Sequence, residues 1–216
     1  MRNFWVTNAE TVMQNREVPS QCEELGITHR NRGSTAMDYP RIGEALVRGE
    51  RHRLATAEPE LMIGDLNGPV GAAFANLLGG QVEGHTRVLA LLNGDVAVKP
   101  ATLMVSKVTV KKNKYTNILM GSVQAGIAHG VLDAVRDGTI PRDQCDKIGI
   151  IAAIWLYPEV VESTDLDFED LFNTHRKSMH LAIKKAMSGE PTIEWLLENQ
   201  DKIVHSYHQK GLEGKL

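Results

Sequence analysis

Residues 101–110, ATLMVSKVTV, read as a strand whose apolar run gives way to a lysine and hydroxyls. Side chains alternate between the faces of a strand, so Leu103, Val105, Lys107 and Thr109 share one side. That side begins apolar and ends with an ammonium and a hydroxyl. Lysine is seldom fully buried without a partner, so Lys107 either reaches solvent at a sheet edge or meets a ligand. Gln124 poses the same question from the middle of the next apolar helix, and Glu58 and Glu60 pose it at the start of ELMIG. Two carboxyls two residues apart on an extended chain face the same way. If they converge and are buried, one keeps its proton and can serve as a general acid. Pro59 between them fixes φ and removes a backbone donor, which weakens regular pairing there. His85, in EGHTRVLALL, is the nearest histidine in sequence to this set. As a loop residue its plain expectation is exposure to solvent. The plain readings of the others are an edge lysine that discourages aggregation and glutamates that face water.

Several familiar catalytic signals are absent. The sequence has no G-x-x-x-x-G-K-[ST], no G-x-S-x-G and no H-E-x-x-H, so nucleotide hydrolysis, serine hydrolysis and zinc proteolysis have no motif support. His175 and Met179 fall on an apolar helix face and are expected to pack rather than ligate. Gly126 and Gly130, flanking His129, are expected to let a helix approach a sheet closely.

The elements that must position these residues are legible in outline. GEALVRG (43–49) and the stretch ending in ELMIG (60–64) read as two strands joined by a charged turn. DLNGPVGAAFANLLGGQ (65–81) reads as a helix, with Pro69 suited to its first position and Gly79-Gly80 ending it. TRVLALLN (86–93) and TLMVSKVTVKK (102–112) read as strands, and 116–136 as a helix with Met120, Val123, Ile127, Val131 and Ala134 on one side. KIGIIAAIWL (147–156) is a continuous apolar run that suits a strand covered on both faces. Residues 165–188, stopped by Gly189, and 191–207 read as two closing helices. The second carries a stripe of Ile193, Leu196, Leu197, Val204 and Tyr207 that must be buried against its own subunit or a neighbour. The order predicts a mixed α/β domain in two layers, with no internal repeat.

Composition narrows the function classes. The 216 residues are 42% hydrophobic and 24% charged, ordinary for a globular domain. A net charge of −3 argues against a general nucleic-acid binder. Six arginines between Arg30 and Arg53 are interleaved with Asp38, Glu44 and Glu50, which suits a solvated or subunit-facing surface better than a phosphate site. Cys22 and Cys145 lie far apart and imply neither a disulfide framework nor a metal centre. The start shows no secretory pattern and no run of 18 apolar residues is present, so a cytoplasmic protein without a membrane span is expected.

GEALVRG (43–49), LMIGDLNGPVGAAFANLL (61–78), VKPATLMVSKVTV (98–110) and QAGIAHGVLDAVRDGTIP (124–141) together resemble the formaldehyde-activating enzyme family. KPxTLMxxKVT is the most recognisable string, and the likeness runs from about Gly43 to Pro141 and less sharply to Glu190. The resemblance implies an α/β two-layer sandwich like the second domain of ribosomal protein S5, assembled as a ring-like homopentamer with pterin clefts between subunits. It implies a hydro-lyase that condenses formaldehyde with tetrahydromethanopterin, giving the methylene-bridged pterin and water, in organisms that oxidise one-carbon compounds. Residues 39–189 would form that domain, with an N-terminal extension (1–38) and a C-terminal helical extension (190–216) packed outside the oligomer or over its clefts.

Lys107, Thr109, Gln124 and Leu89 match the family's pterin-contacting lysine, threonine, glutamine and leucine. The polar groups would bond the edge of the heterocycle while Leu89 covers its face. The family's catalytic histidine precedes an aspartate by two residues. Here Glu58 stands at the histidine position and Glu60 at that of the aspartate. The carbinolamine formed from formaldehyde and a pterin nitrogen must lose water before the bridge closes, and protonating the departing hydroxyl suits an imidazole. A glutamate ordinarily loses its proton near pH ~4.3. Glu58 or His85 therefore stands in for the acid. Alternatively the chain is a pterin- or formaldehyde-binding homologue without condensation, or a ring partner of a catalytic paralogue.

Overall fold

The computed structural model describes residues 40–215; the expected N-terminal extension and Cys22 lie outside them. The strands are β1 (Arg41–Glu44), β2 (Glu60–Asp65), β3 (Arg87–Leu89), β4 (Leu91–Asn93), β5 (Val96–Ala97), β6 (Ala101–Ser106) and β7 (Ile148–Ile154). The helices are α1 (Pro69–Gly79), α2 (Asn113–Arg136), α3 (Phe168–Ser188), α4 (Ile193–Asn199) and α5 (Ser206–Leu212). Five strands form one sheet in the order β1-β2-β7-β6-β3, while β4 and β5 form a separate hairpin. Only β6 and β7 run parallel, joined through α2; the other neighbours are antiparallel.

Register separates the two faces. Leu61, Ile63, Ile148, Ile150, Ala152 and Ile154 share one face with Thr102, Met104 and Ser106, and all nine are buried. Burying each large aliphatic side chain contributes about 1.5–3 kcal/mol. The helix pair α2–α3 covers this face. A Cβ on Gly43 of β1 would stand 2.2 Å from the Ala182 carbonyl oxygen of α3, so the edge strand and helix touch backbone to backbone. The other face is covered in part by α1: a Cβ on Gly149 would meet the side chains of Leu66 and Phe74. Sheet and helix pair form the expected α/β sandwich.

Gly126 and Gly130 do permit close packing, but against α3 rather than the sheet. A Cβ at either would come within 2.6 Å of the Phe172 or Arg176 carbonyl oxygen. The helix pair is also tied by Arg176, whose Nη2 donates to Asp133 Oδ1 at 2.8 Å, and by His180 Nε2 with Asp137 Oδ2 at 2.7 Å. His175 and Met179 are fully buried in this contact, as their helix face predicted. By length and composition α2 resembles a membrane span, yet its apolar face is buried against the sheet and α3.

Three boundaries differ from the sequence reading. TRVLALLN breaks at Ala90, whose N–H donates to Thr102 of β6 while its carbonyl accepts from Val98, so the chain changes partner there. β6 ends at Ser106, where the Ser106 hydroxyl donates to the Val108 carbonyl at 2.7 Å and turns the chain. The 191–207 helix is split into α4 and α5 around an Asn-Gln-Asp segment of modest helix propensity. Ile193, Leu197, Val204 and Tyr207 are 58–62% exposed. Of the two expected ways to bury this stripe, its own subunit or a neighbour, packing within the subunit leaves these four side chains exposed.

Candidate ligand site at one end of the sheet

The parallel strands β6 and β7 end side by side, with Ser106 paired to Ile154. The antiparallel neighbours β2 and β3 begin at that same end. Residues just beyond the ladder therefore gather there: Glu58 before β2, His85 before β3, Lys107 and Thr109 after β6, and Trp155 after β7.

Lys107 is fixed by its backbone, whose N–H donates to the Ile154 carbonyl at 3.0 Å. Its ammonium forms an ion pair with Glu60. The pair spans β7, and Ala153, opposite Glu60, offers only a methyl beneath the lysine stem. The Lys107 side chain is 29% exposed and that of Glu60 is 54% exposed, so the pair itself contributes little to stability.

His85 and Thr109 are brought together across the β3–β6 entrance. His85 Nδ1 lies 3.2 Å from the Ser106 carbonyl oxygen, and Nε2 lies 3.1 Å from Thr109 Oγ1. A carbonyl only accepts, so in the neutral ring Nδ1 carries the proton and Nε2 accepts from the Thr109 hydroxyl. His85 is half-buried rather than a free loop histidine.

Glu58 occupies a different setting. Burial alternates through Glu58, Pro59 and Glu60 as exposed, buried, exposed, so both carboxyls face the same side. Pro59 does not break the register. Val47 and Ala57 exchange both backbone hydrogen bonds at 2.9 Å, and Ala45 N donates to the Pro59 carbonyl at 3.4 Å. The proline costs the ladder one donor and no more. Glu58 has no hydrogen-bond or ion-pair partner among the described residues. Both glutamates are exposed, and Glu60 turns to Lys107 rather than to Glu58.

The segment leading to Glu58 is pinned by Asp170. Its carboxylate accepts from the consecutive N–H groups of Glu50, Arg51 and His52 at 3.0, 2.9 and 2.8 Å, and from the Thr174 hydroxyl at 3.3 Å. Burial pushes this carboxyl up, but the three backbone donors and Thr174 outweigh it and hold Asp170 below the ordinary range. Arg51 pairs with Asp167 and Glu169, and Arg53 lies over the Tyr157 ring at 5.3 Å. These arginines serve local contacts rather than an anion site. Behind the sheet end, the Tyr115 hydroxyl donates to the Leu156 carbonyl at 3.0 Å, and burial pushes its pKa up to about 12.

Leu89 and Gln124 belong together but apart from this cluster. Since Ala90 N–H points to β6, alternation turns the Leu89 carbonyl to the free edge of β3, where Gln124 Nε2 donates at 2.9 Å. Gln124 follows the π-helical break Leu119–Val123, in which Gly121 leaves helical geometry (φ −96°, ψ −108°). It lines an open groove of about 570 Å³ with Met120, Phe168 and Phe172. Within one chain, then, the Lys107–Glu60 and His85–Thr109 pairs both lie at one sheet end, while Gln124 faces a separate groove. The sequence reading missed Trp155 and Asp170. Trp155 was hidden inside an apolar run, where only its place after the last paired residue distinguishes it.

The structure is an α/β sandwich with polar and aromatic side chains gathered at one end of its sheet. The profile of the formaldehyde-activating enzyme family matches residues 42–208. A bifunctional enzyme Fae/Hps of Methanosarcina mazei is 38% identical over 165 residues, covering 76% of this chain and 40% of that protein. A 5,6,7,8-tetrahydromethanopterin hydro-lyase of Methanosarcina barkeri is 36% identical over 166 residues, covering 77% of this chain and 89% of that protein. An Fae/Hps enzyme of Archaeoglobus fulgidus is 35% identical over 167 residues, again across 77% of this chain and 40% of the relative. The chain belongs to the formaldehyde-activating enzyme family. It spans about 40% of the length of the bifunctional relatives.

Proposed function

We propose that this chain condenses formaldehyde with tetrahydromethanopterin to the methylene-bridged pterin and water. The observation that supports this best is the convergence of the Lys107–Glu60 pair and the His85–Thr109 pair at one sheet end, in a chain of this family. A pterin nitrogen adds to formaldehyde to give a carbinolamine; its hydroxyl leaves as water once protonated, and the second nitrogen closes the bridge. Lys107, Glu60 and Thr109 bond the polar edge of the pterin, and Leu89 and Gln124 contribute apolar cover and a further polar contact. His85 supplies the proton, since its ring is oriented at both nitrogens, whereas Glu58 is exposed and has no partner among the described residues. As imidazolium it donates from Nε2 to Thr109, whose hydroxyl then passes a proton outward. The exposed Ile42 and Leu46 beside Glu58 and Glu60 support assembly with further copies, a pentamer by family likeness, or with a catalytic paralogue.

A second reading, pterin binding without condensation, is favoured by the setting of Glu58 itself. The test is the rate of methylene-tetrahydromethanopterin formation above the uncatalysed background, by absorbance, in the wild type, Glu58→Gln and His85→Gln. His85→Gln is expected to lower the rate about 100-fold, with Glu58→Gln within a few-fold of wild type. The reverse pattern assigns the acid to Glu58. A wild-type rate equal to background refutes condensation and leaves the binding reading.

A further inference from the structure

We propose that Trp155 is the stacking platform of this site, the face on which the flat ring of the pterin lies. The inference rests on the pterin reading above. Backbone bonding fixes the position of the indole. Ser106 pairs with Ile154, and the next bond, Lys107 N–H to the Ile154 carbonyl, extends the parallel pairing so that Trp155 is the lateral neighbour of Lys107. Adjacent strands lie about 4.8 Å apart, which suits a ring that meets the indole with its face and the ammonium with its edge. Alternation gives the side: Ile154 and Leu156 are buried at 1% and 0% exposure, while Trp155 and Tyr157 are half-exposed. Trp155 therefore faces the same way as Ala153, over which the Lys107–Glu60 pair lies.

The indole is also braced. Its ring meets Tyr157 edge-on with centroids 6.0 Å apart, and Arg53 covers the Tyr157 ring at 5.3 Å. An aromatic side chain braced on one edge and partly accessible loses little freedom when a second ring stacks on it. Neither the sheet core nor the helix pair needs an indole here, because the buried face is completed by Ile154 and Leu156. The nearby apolar residues Val105 and Ala153 are too small to present a flat surface of that size. Leu89 pairs with Leu103 further along the sheet and is not a lateral neighbour of Lys107 within one chain.

The test is the affinity for reduced pterin, by calorimetry, of the wild type, Trp155→Phe and Trp155→Leu. Phenylalanine keeps a ring and is expected to bind within about 3-fold of wild type, while leucine weakens binding about 10-fold or more. Equal affinity for the leucine variant overturns the inference and leaves the pterin reading intact. A wild type that binds no pterin overturns both. A second measurement covers a leucine variant that fails to fold. The chain has three tryptophans, so Trp5→Phe with Trp195→Phe leaves Trp155 as the sole indole. Reduced pterin should then quench most of its emission, and unchanged emission at saturating pterin refutes the contact.

Discussion

Asp170→Asn tests whether the loop that carries the chain toward Glu58 is held by one carboxylate. In the native chain Oδ1 accepts from Glu50 N–H and the Thr174 hydroxyl, and Oδ2 accepts from Arg51 and His52 N–H. An amide keeps one acceptor oxygen and sets an NH2 group against the donors of the other, so two of four bonds are lost. Each bond to a charged acceptor contributes about 1.5–3 kcal/mol; the donors are part-buried, which brings the expected loss to about 2–3 kcal/mol. For a domain of this size that lowers Tm by about 5–10 °C, read by thermal unfolding at neutral pH. Acid provides a second reading. The folded-state pKa of Asp170 is lowered, so its stabilisation is complete above the unfolded value of about 3.9 and is lost as pH falls through the folded value. His175 acts in a higher window. Burial lowers its pKa from 6.5 to about 4, so the unfolded chain takes up a proton that the folded chain resists, and stability falls from about pH 6.5 to about 4 in both proteins alike. The Tm gap between wild type and Asp170→Asn should hold steady to about pH 5 and close below about pH 4. A gap under about 1 °C at neutral pH, against the size scaling used, would refute the reasoning.

Lys107→Ala removes one half of an exposed ion pair, so stability should change by less than about 1 kcal/mol, while affinity for reduced pterin falls about 5–10-fold. Unchanged affinity in a titration would place the site elsewhere. Gly43→Ala puts a methyl 2.2 Å from the Ala182 carbonyl oxygen and 2.9 Å from the Ala186 methyl. Strand and helix must part, costing about 1–3 kcal/mol, which a lower urea midpoint reports; an unshifted midpoint contradicts the close packing of β1 on α3.

The regular elements were legible because their signals are local. Pro69 and Gly79 bound α1, Gly189 ends α3 in the left-handed conformation (φ 73°), and the apolar run at 147–156 contains β7. The strand ends were not, because each is set by a partner distant in sequence or by a single side-chain bond. β6 stops where Ser106 turns back on Val108, and β3 gives way to β4 where Ala90 changes partner. Pattern alone therefore carried β6 through Lys107 and Thr109 as one flat face. The same limit hid Asp170, which reads as an acidic residue in the first turn of a helix but closes a loop some 120 positions earlier in the chain.

Those displaced strand ends explain why polar residues interrupt apolar segments at all. On the covered face of a ladder a lysine or glutamate would have to be buried, whereas at a strand end or on the open face it stays accessible while its backbone is anchored. Lys107 does this just past β6, through its backbone bond to Ile154, and Glu60 does it as the first residue of β2, paired with Glu44 and Ala153. Strand direction then does the gathering. Parallel β6 and β7 both finish where antiparallel β2 and β3 start, so four segments far apart in sequence deliver their terminal side chains to one end. Ligands of open α/β sheets bind beyond the carboxyl ends of parallel strands for this reason. Gln124 reaches its groove by another route, a break in α2 beside the free edge of β3. One chain therefore presents two separate surfaces, the sheet end that carries Lys107 and Glu60 and the groove lined by Gln124.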